Sequence, residues 1–230
     1  MCGRFVVARA SADLAVELDI EQVPEEPIPE SYNVAPTNRI PLVVESKGIR
    51  RLELARWGLV PRWAKDISVG VRAINARSET AASKPTFRDA VVKRRGVIPV
   101  DGYYEWRKRA DGTKQPYFIY PEDRSLMLFA GLYEWWRTPE DEWLLSATIL
   151  TRDSAGDEMK NLHDRMPVFM TKQDVPTWLA EDTPGDQQLV SDFADRAATV
   201  ARSLTMHPVD RRVGNVRESG QDLVSPVVED

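Results

Sequence analysis

The chain has 230 residues, 42% of them hydrophobic and 29% charged, so it can build a core and is not disordered throughout. No apolar run approaches the ~18–20 residues of a membrane-spanning helix. The opening Met1-Cys2-Gly3-Arg4-Phe5 lacks the apolar stretch of a secretory signal, so a cytoplasmic protein is expected.

One cysteine excludes an internal disulfide. With only His163 and His207 beside it, a structural zinc site of the usual Cys/His kind is excluded too. Neither a metal nor another cofactor is expected. The net charge of -5 weighs weakly against nucleic acid as a partner, since duplex binders carry a basic excess, although a local basic stripe can differ in sign from the sum. Of 31 basic residues, 23 are Arg, whose planar fork suits phosphate, although a GC-rich genome or a salt-adapted acidic proteome accounts better for the bias taken alone.

The predicted elements run as follows. Arg4–Val7 reads as a short strand. Ser11 is placed to cap a helix through about Leu18, with Leu14 and Leu18 four apart. The proline- and acid-rich stretch 21–30 reads as an exposed loop. Ile40–Glu45 and Leu52–Trp57 read as strands joined by a Lys47-Gly48 turn. Ser78 is placed to cap a short helix, and Pro85 to end it and open the next, roughly Pro85–Val92. Val97–Val100, Tyr103–Arg107, Tyr117–Tyr120, Leu126–Glu134 and Trp143–Thr151 have strand composition. After a loop at 182–187, a helix from about Gln187 to Val200 precedes a strand near Leu204–Val209. The residues ending Val227-Val228-Glu229-Asp230 read as a frayed tail. Many strands with few helices and no strict alternation mean α+β, mostly antiparallel and partly barrel-like, with 1–230 as one domain.

Cys2 is the most informative position. A lone cysteine can be an inert core hydrophobe. At position 2, however, removal of Met1 leaves a free α-amine beside a thiol. That aminothiol has two uses. The thiolate can be a nucleophile with the amine as its base. Alternatively, the amine can form a Schiff base with an aldehyde and the thiol can close a thiazolidine ring. An α-amine, with a reference pKa of ~7.7–8.0, is partly neutral near pH 7.

Other motifs carry two readings each. In Pro99-Val100-Asp101-Gly102-Tyr103-Tyr104-Glu105-Trp106-Arg107, strand alternation puts Tyr103, Glu105 and Arg107 on one face and Tyr104 and Trp106 on the other. Glu105 is then a general acid/base among aromatics, or one half of a structural Glu–Arg pair. In Ile74-Asn75-Ala76-Arg77-Ser78-Glu79, Asn75 and Arg77 share a face and could orient a reacting group and hold phosphate, or form a loop leading into a helix. His163, in Asn161-Leu162-His163-Asp164-Arg165-Met166-Pro167, is a proton shuttle or a structural histidine. His207 is given no role. In Trp57-Gly58-Leu59-Val60-Pro61-Arg62-Trp63, Trp57 is expected in the core and Trp63 at the surface, where an indole can stack on a base.

The set resembles the SRAP family, the SOS response-associated peptidases or abasic-site processing proteins. The matching stretches run in family order: Met1–Phe5, Tyr32–Pro36, Trp57–Pro61, Asn75–Thr80, Lys84–Arg88, Pro99–Trp106, His163–Pro167 and the Val209–Val224 tail. The resemblance implies that the Cys2 amine attacks the ring-opened aldehyde of an abasic site in single-stranded DNA and that the thiol closes the thiazolidine, shielding the lesion on the chromosome. It makes Glu105 the acid/base, His163 a helper at the sugar, and Asn75 the residue that positions Cys2. Arg4, Arg77 and Arg165 would grip phosphates, and Pro36, Trp63 and Thr151 would line the DNA path. A monomer is expected. Two positions depart from the family pattern. Ala64 stands where a bulky residue is common, and Gly214 separates Val213 from Asn215, so the tail is assigned no function. The competing readings are an N-terminal-nucleophile cysteine peptidase and a noncovalent single-strand-binding module indifferent to Cys2.

Overall fold

The computed structural model describes residues 2–228. The chain runs β1 (Phe5–Val7), α1 (Ser11–Glu17), β2 (Ser31–Val34), β3 (Arg39–Ser46), β4 (Ile49–Trp57), β5 (Asn75–Arg77), α2 (Arg88–Lys93), β6 (Arg95–Val100), β7 (Gly102–Lys108), β8 (Lys114–Pro121), β9 (Met127–Arg137), β10 (Trp143–Asp153), α3 (Asp157–Leu162), β11 (Arg165–Pro167), β12 (Phe169–Met170), α4 (Val175–Leu179), α5 (Gln187–Val200) and β13 (Leu204–Pro208).

Strands β4, β3, β6, β9 and β10 pair successively, and β10 returns to β4, so five strands close a barrel. Only the β10–β4 closure is parallel. Closure leaves those strands no free edge along the paired stretch. A second, antiparallel sheet has the order β13-β8-β7-β1-β2. This is the α+β, largely antiparallel, part-barrel architecture that the composition predicts.

The predicted alternation in β7 divides the interior. Tyr103 joins the main core with Cys2, Phe5, Trp57 and Phe129. Tyr104 points into a second core with Val6, Phe118, Val209, Val213 and Leu223. Rings interlock in the main core, with Phe5 4.7 Å from Trp57 and 6.3 Å from Phe129. The β3–β4 hairpin turns at Lys47 and Gly48, both with positive φ (54° and 72°), the geometry a two-residue hairpin demands.

Three expectations shift. Ser11 lies inside α1; Ala10 is the cap and offers no side-chain bond. Ser78 caps no helix; its amide donates to Thr151 O (2.8 Å), which ties it to β10 as a continuation of β5. Residues 78–83 therefore form turns, and α2 begins at Arg88, later than Pro85. At the other end of the chain, Val227 N donates to Pro208 O (3.0 Å), so the tail is tied at that point. Glu229 and Asp230 lie outside the described residues.

Candidate active site

Strand β10 assembles one side of the site. Its second half pairs in parallel with β5, matching Ile149 to Asn75 and Thr151 to Arg77. On the other side it pairs with β11, matching Asp153 to Arg165 and Thr151 to Pro167. Asn75, Arg77, Thr151 and Arg165 are thereby gathered into one neighbourhood, with His163 at the C-cap of α3 just before β11.

Strands β1 and β7 supply the other side. Phe5 faces Tyr103, and Tyr104 N donates to Arg4 O (2.9 Å), so the segment leading into β1 runs beside Glu105. Cys2 is fully buried there. Asn75 Nδ2 donates to Cys2 O at 2.7 Å, which pins the backbone of the cysteine. Asn75 Oδ1 is buried without a hydrogen-bond partner among the described residues. Tyr103 carries its hydroxyl to Met159 Sδ (3.7 Å) and so packs α3, and with it His163, against the Glu105 strand.

The electrostatics follow from burial. Desolvation pushes the Cys2 thiol far above its usual pKa, and the Glu105 carboxylate pushes it further. Glu105 is 5% exposed; burial raises its pKa, and the His163 charge opposes the rise. Trp106 N donates to Glu105 Oε1 (3.2 Å). His163 Nδ1 accepts from Arg165 N (2.9 Å) and lies 2.7 Å from the exposed Asp164 carboxylate. A buried thiol, a buried acid with raised affinity for a proton and a half-buried imidazole thus meet in one corner. That arrangement can carry protons to and from an addition at Cys2.

The cations differ in what they hold. Arg77 is exposed. Arg4 donates to Asn33 Oδ1 and to Val213 O, both at 2.9 Å, while its backbone amide faces the Cys2 thiol. Asn33, which sequence reasoning missed, completes that link by donating to Asn215 O (3.0 Å) and Glu218 O (2.8 Å). The tail segment therefore clasps the chain behind the site. Arg165 is buried and bonded to Glu79, Asp153 and Thr151. Glu79 and Asp153 were also missed; the one legible signal was an acid two residues after Arg77.

Trp57 is fully buried and donates to Ile74 O (2.9 Å), whereas Trp63 is 58% exposed. Both match expectation. Pro36 is half-buried, in a turn whose next residue, Thr37, donates to Trp57 O (2.9 Å). Ala64 is buried, and its carbonyl accepts from Trp136 Nε1 (2.8 Å). His207 bonds Tyr120 and Val224 O, a structural role. Among the described residues, no cluster of His, Cys, Asp and Glu could hold a metal ion. None of their helices is long and apolar enough to cross a membrane.

Comparison with known proteins fits this geometry. The family model described as SOS response associated peptidase (SRAP) matches residues 1–216. The abasic site processing protein YoaM of Bacillus subtilis is 42% identical over 214 residues, covering 90% of this chain and 94% of its own. Its namesake YedK of Escherichia coli is 33% identical over 232 residues, covering 99% and 100%. A crystal structure of a Bacteroides thetaiotaomicron protein shares the fold, with a TM-score of 0.80, 21% identity and coverage of 99% and 100%. With a family match spanning nearly its whole length, the chain belongs to the SRAP family.

Proposed function

We propose that the protein processes abasic sites in single-stranded DNA by covalent capture on Cys2, acting as a monomer. The observation that carries the reading is the pinned cysteine: a fully buried thiol, its carbonyl held by Asn75 and its neighbour a proton-avid Glu105. YoaM and YedK are named for abasic-site processing, which supports the same substrate.

Removal of Met1 frees the Cys2 amine. The amine nitrogen adds to the aldehyde carbon of the ring-opened sugar, and the carbonyl oxygen leaves as water. Cys2 Sγ then adds to the resulting C=N carbon, its proton passes to nitrogen, and a five-membered thiazolidine closes. The sum is aldehyde plus aminothiol giving thiazolidine plus one water, with no oxidant or cofactor. Glu105 takes the proton of the attacking group and returns it to the departing oxygen, work suited to a carboxyl with raised pKa. His163 moves the proton that opens the sugar ring. Asn75 fixes the aminothiol, while Arg77, with Arg4 and Arg165 behind it, faces the backbone. Pro36 and Trp63 line the strand's path, whereas Thr151, expected there too, is buried and holds Arg165.

A cysteine peptidase would use the same sulfur. That reading needs a ready thiolate, and burial that raises the thiol pKa works against it. The experiment mixes Met1-processed protein with a single-stranded oligonucleotide carrying one abasic site and separates the products under denaturing conditions. A stable adduct is expected from the wild type and none from Cys2→Ala. Cys2→Ser should give an adduct only after borohydride reduction. Wild-type adduct levels from Cys2→Ala would reject the proposal. Cleavage of peptides in trans without a DNA adduct would favour the peptidase.

A further inference from the structure

Arg165 has both terminal nitrogens fully committed. Its Nη1 donates to Glu79 Oε1 (2.8 Å) and Asp153 Oδ1 (2.6 Å). Its Nη2 donates to Glu79 Oε2 (3.0 Å) and Thr151 O (2.7 Å). Each terminal nitrogen carries two protons, so neither retains one for another acceptor. The remaining Nε is buried. A phosphate can reach this guanidinium only by displacing a carboxylate.

The carboxylates are placed to be displaced. The Arg165 side chain is 10% exposed, whereas Glu79 is 48% and Asp153 81% exposed. Both acids lie on the solvent side of the cation. Arg77, level with Thr151 across the β5–β10 ladder, contributes its charge to the same cluster. Burial alone would raise the Glu79 pKa, but Arg165 and Arg77 hold it below the usual range, so the acid stays charged at neutral pH. Two cations and two anions cancel beside the site, on a molecule whose net charge is already -5.

We propose that Glu79 and Asp153 form an anionic mask over Arg165 that sets the protein's discrimination against intact DNA. The proposal rests on the function proposed above and adds a specificity determinant to it. An intact strand must exchange one anion for another on the same guanidinium, and that exchange yields little affinity. A strand with an aldehyde is retained by the bond it forms, so the weak encounter costs it nothing at the end point. Masking a cation that lies next to His163 thereby converts a general phosphate site into one that favours reactive lesions.

The test compares wild type, Glu79→Gln, Asp153→Asn and the double variant, all Met1-processed, for binding a labelled intact single-stranded oligonucleotide over a salt series. Asp141→Asn serves as the charge control, since Asp141 is exposed at the distant β9–β10 turn and pairs with Arg137. Each phosphate newly engaged should steepen the log–log salt slope by ~0.7, which is roughly fivefold in affinity at about 0.1 M salt. The double variant is expected to show that gain, and Asp141→Asn is not. A folded double variant with wild-type slope and affinity overturns the proposal, as does an equal gain in the control. Should Glu79→Gln fail to fold, the highly exposed Asp153→Asn decides by the same criterion. Adduct formation by the wild type on abasic DNA is followed in parallel. Its absence would remove the proposed function, whereas an unchanged slope in variants alongside a normal wild-type adduct would remove the mask alone.

Discussion

Under the proposed function, Glu105 serves chemistry at the expense of stability. It sits in mid-strand at 5% exposure, and burial raises its pKa despite the opposing charge of His163. A carboxyl whose folded pKa exceeds its unfolded value binds its proton more tightly in the native state. The fold is therefore indifferent to it at low pH and bears a growing cost as pH rises from the unfolded value through the folded one. Glu105→Gln should accordingly match the wild type in thermal stability near pH 4 and exceed it near pH 7.5. A gain on the order of 1 kcal/mol corresponds to ~2–4 °C in Tm for a chain of this size. The same substitution removes the proposed proton carrier and should slow adduct formation by about 10²–10⁴-fold. Melting curves at the two pH values and a time course of cross-linking read both effects. A Gln variant that melts lower at pH 7.5 would make the carboxylate a structural partner instead.

At the scale of elements, the loop after β4 ties the site to the barrel. Gly58 has φ near +123°, and a Cβ there would meet Gly70 O at 2.5 Å, so two backbones cross where no side chain fits. Gly58 N also donates to Ala147 O (2.8 Å) on β10, the strand that carries Thr151. Gly58→Ala should cost about 2–4 kcal/mol through strain and overlap, and should weaken cross-linking as Trp57 and the adjacent Ile74–Asn75 segment shift. Denaturant melts and adduct yield check this, and a silent substitution would show that the crossing relaxes freely. Much of this scale was legible in the sequence. Alternation in 103–107 separated Tyr103 from Tyr104, which enter different cores, and the Gln187–Val200 helix was read residue for residue because its apolar pattern is long. The three-residue strands β5 and β11 were not legible, since so short a run carries no period and its identity comes from the ladder it joins. Ser78 misled for the same reason: residues 78–83 form turns with no helix to cap, and Ser78 itself prolongs the β5–β10 ladder through its amide bond to Thr151 O. The partners named for Arg4 and Arg165 lie 12 to 209 positions away, beyond the reach of a helix or strand spacing argument.

For the whole molecule, the decisive feature is that a net negative protein is asked to meet a polyanion. A net charge of -5 gives no overall attraction to a polyanion, so under the proposed function the encounter would rest on local cations such as Arg77 together with contacts from the exposed Trp63. Cys2 is packed within the main core, with its carbonyl held by Asn75. The steps then separate by their response to salt. Noncovalent encounter depends on counterion release, so the observed rate of cross-linking at subsaturating protein should fall as salt rises from about 50 to 200 mM. The log–log slope should lie near -0.7 for each phosphate engaged, or roughly 2.6-fold per contact over that range. Ring closure involves no change in phosphate contacts, so the final adduct yield at long times should not move. A kinetic series on one abasic oligonucleotide at four salt concentrations resolves the two. A rate indifferent to salt would mean that the strand is held by stacking and covalent chemistry alone, and that Arg77 belongs to the fold and not to the DNA path.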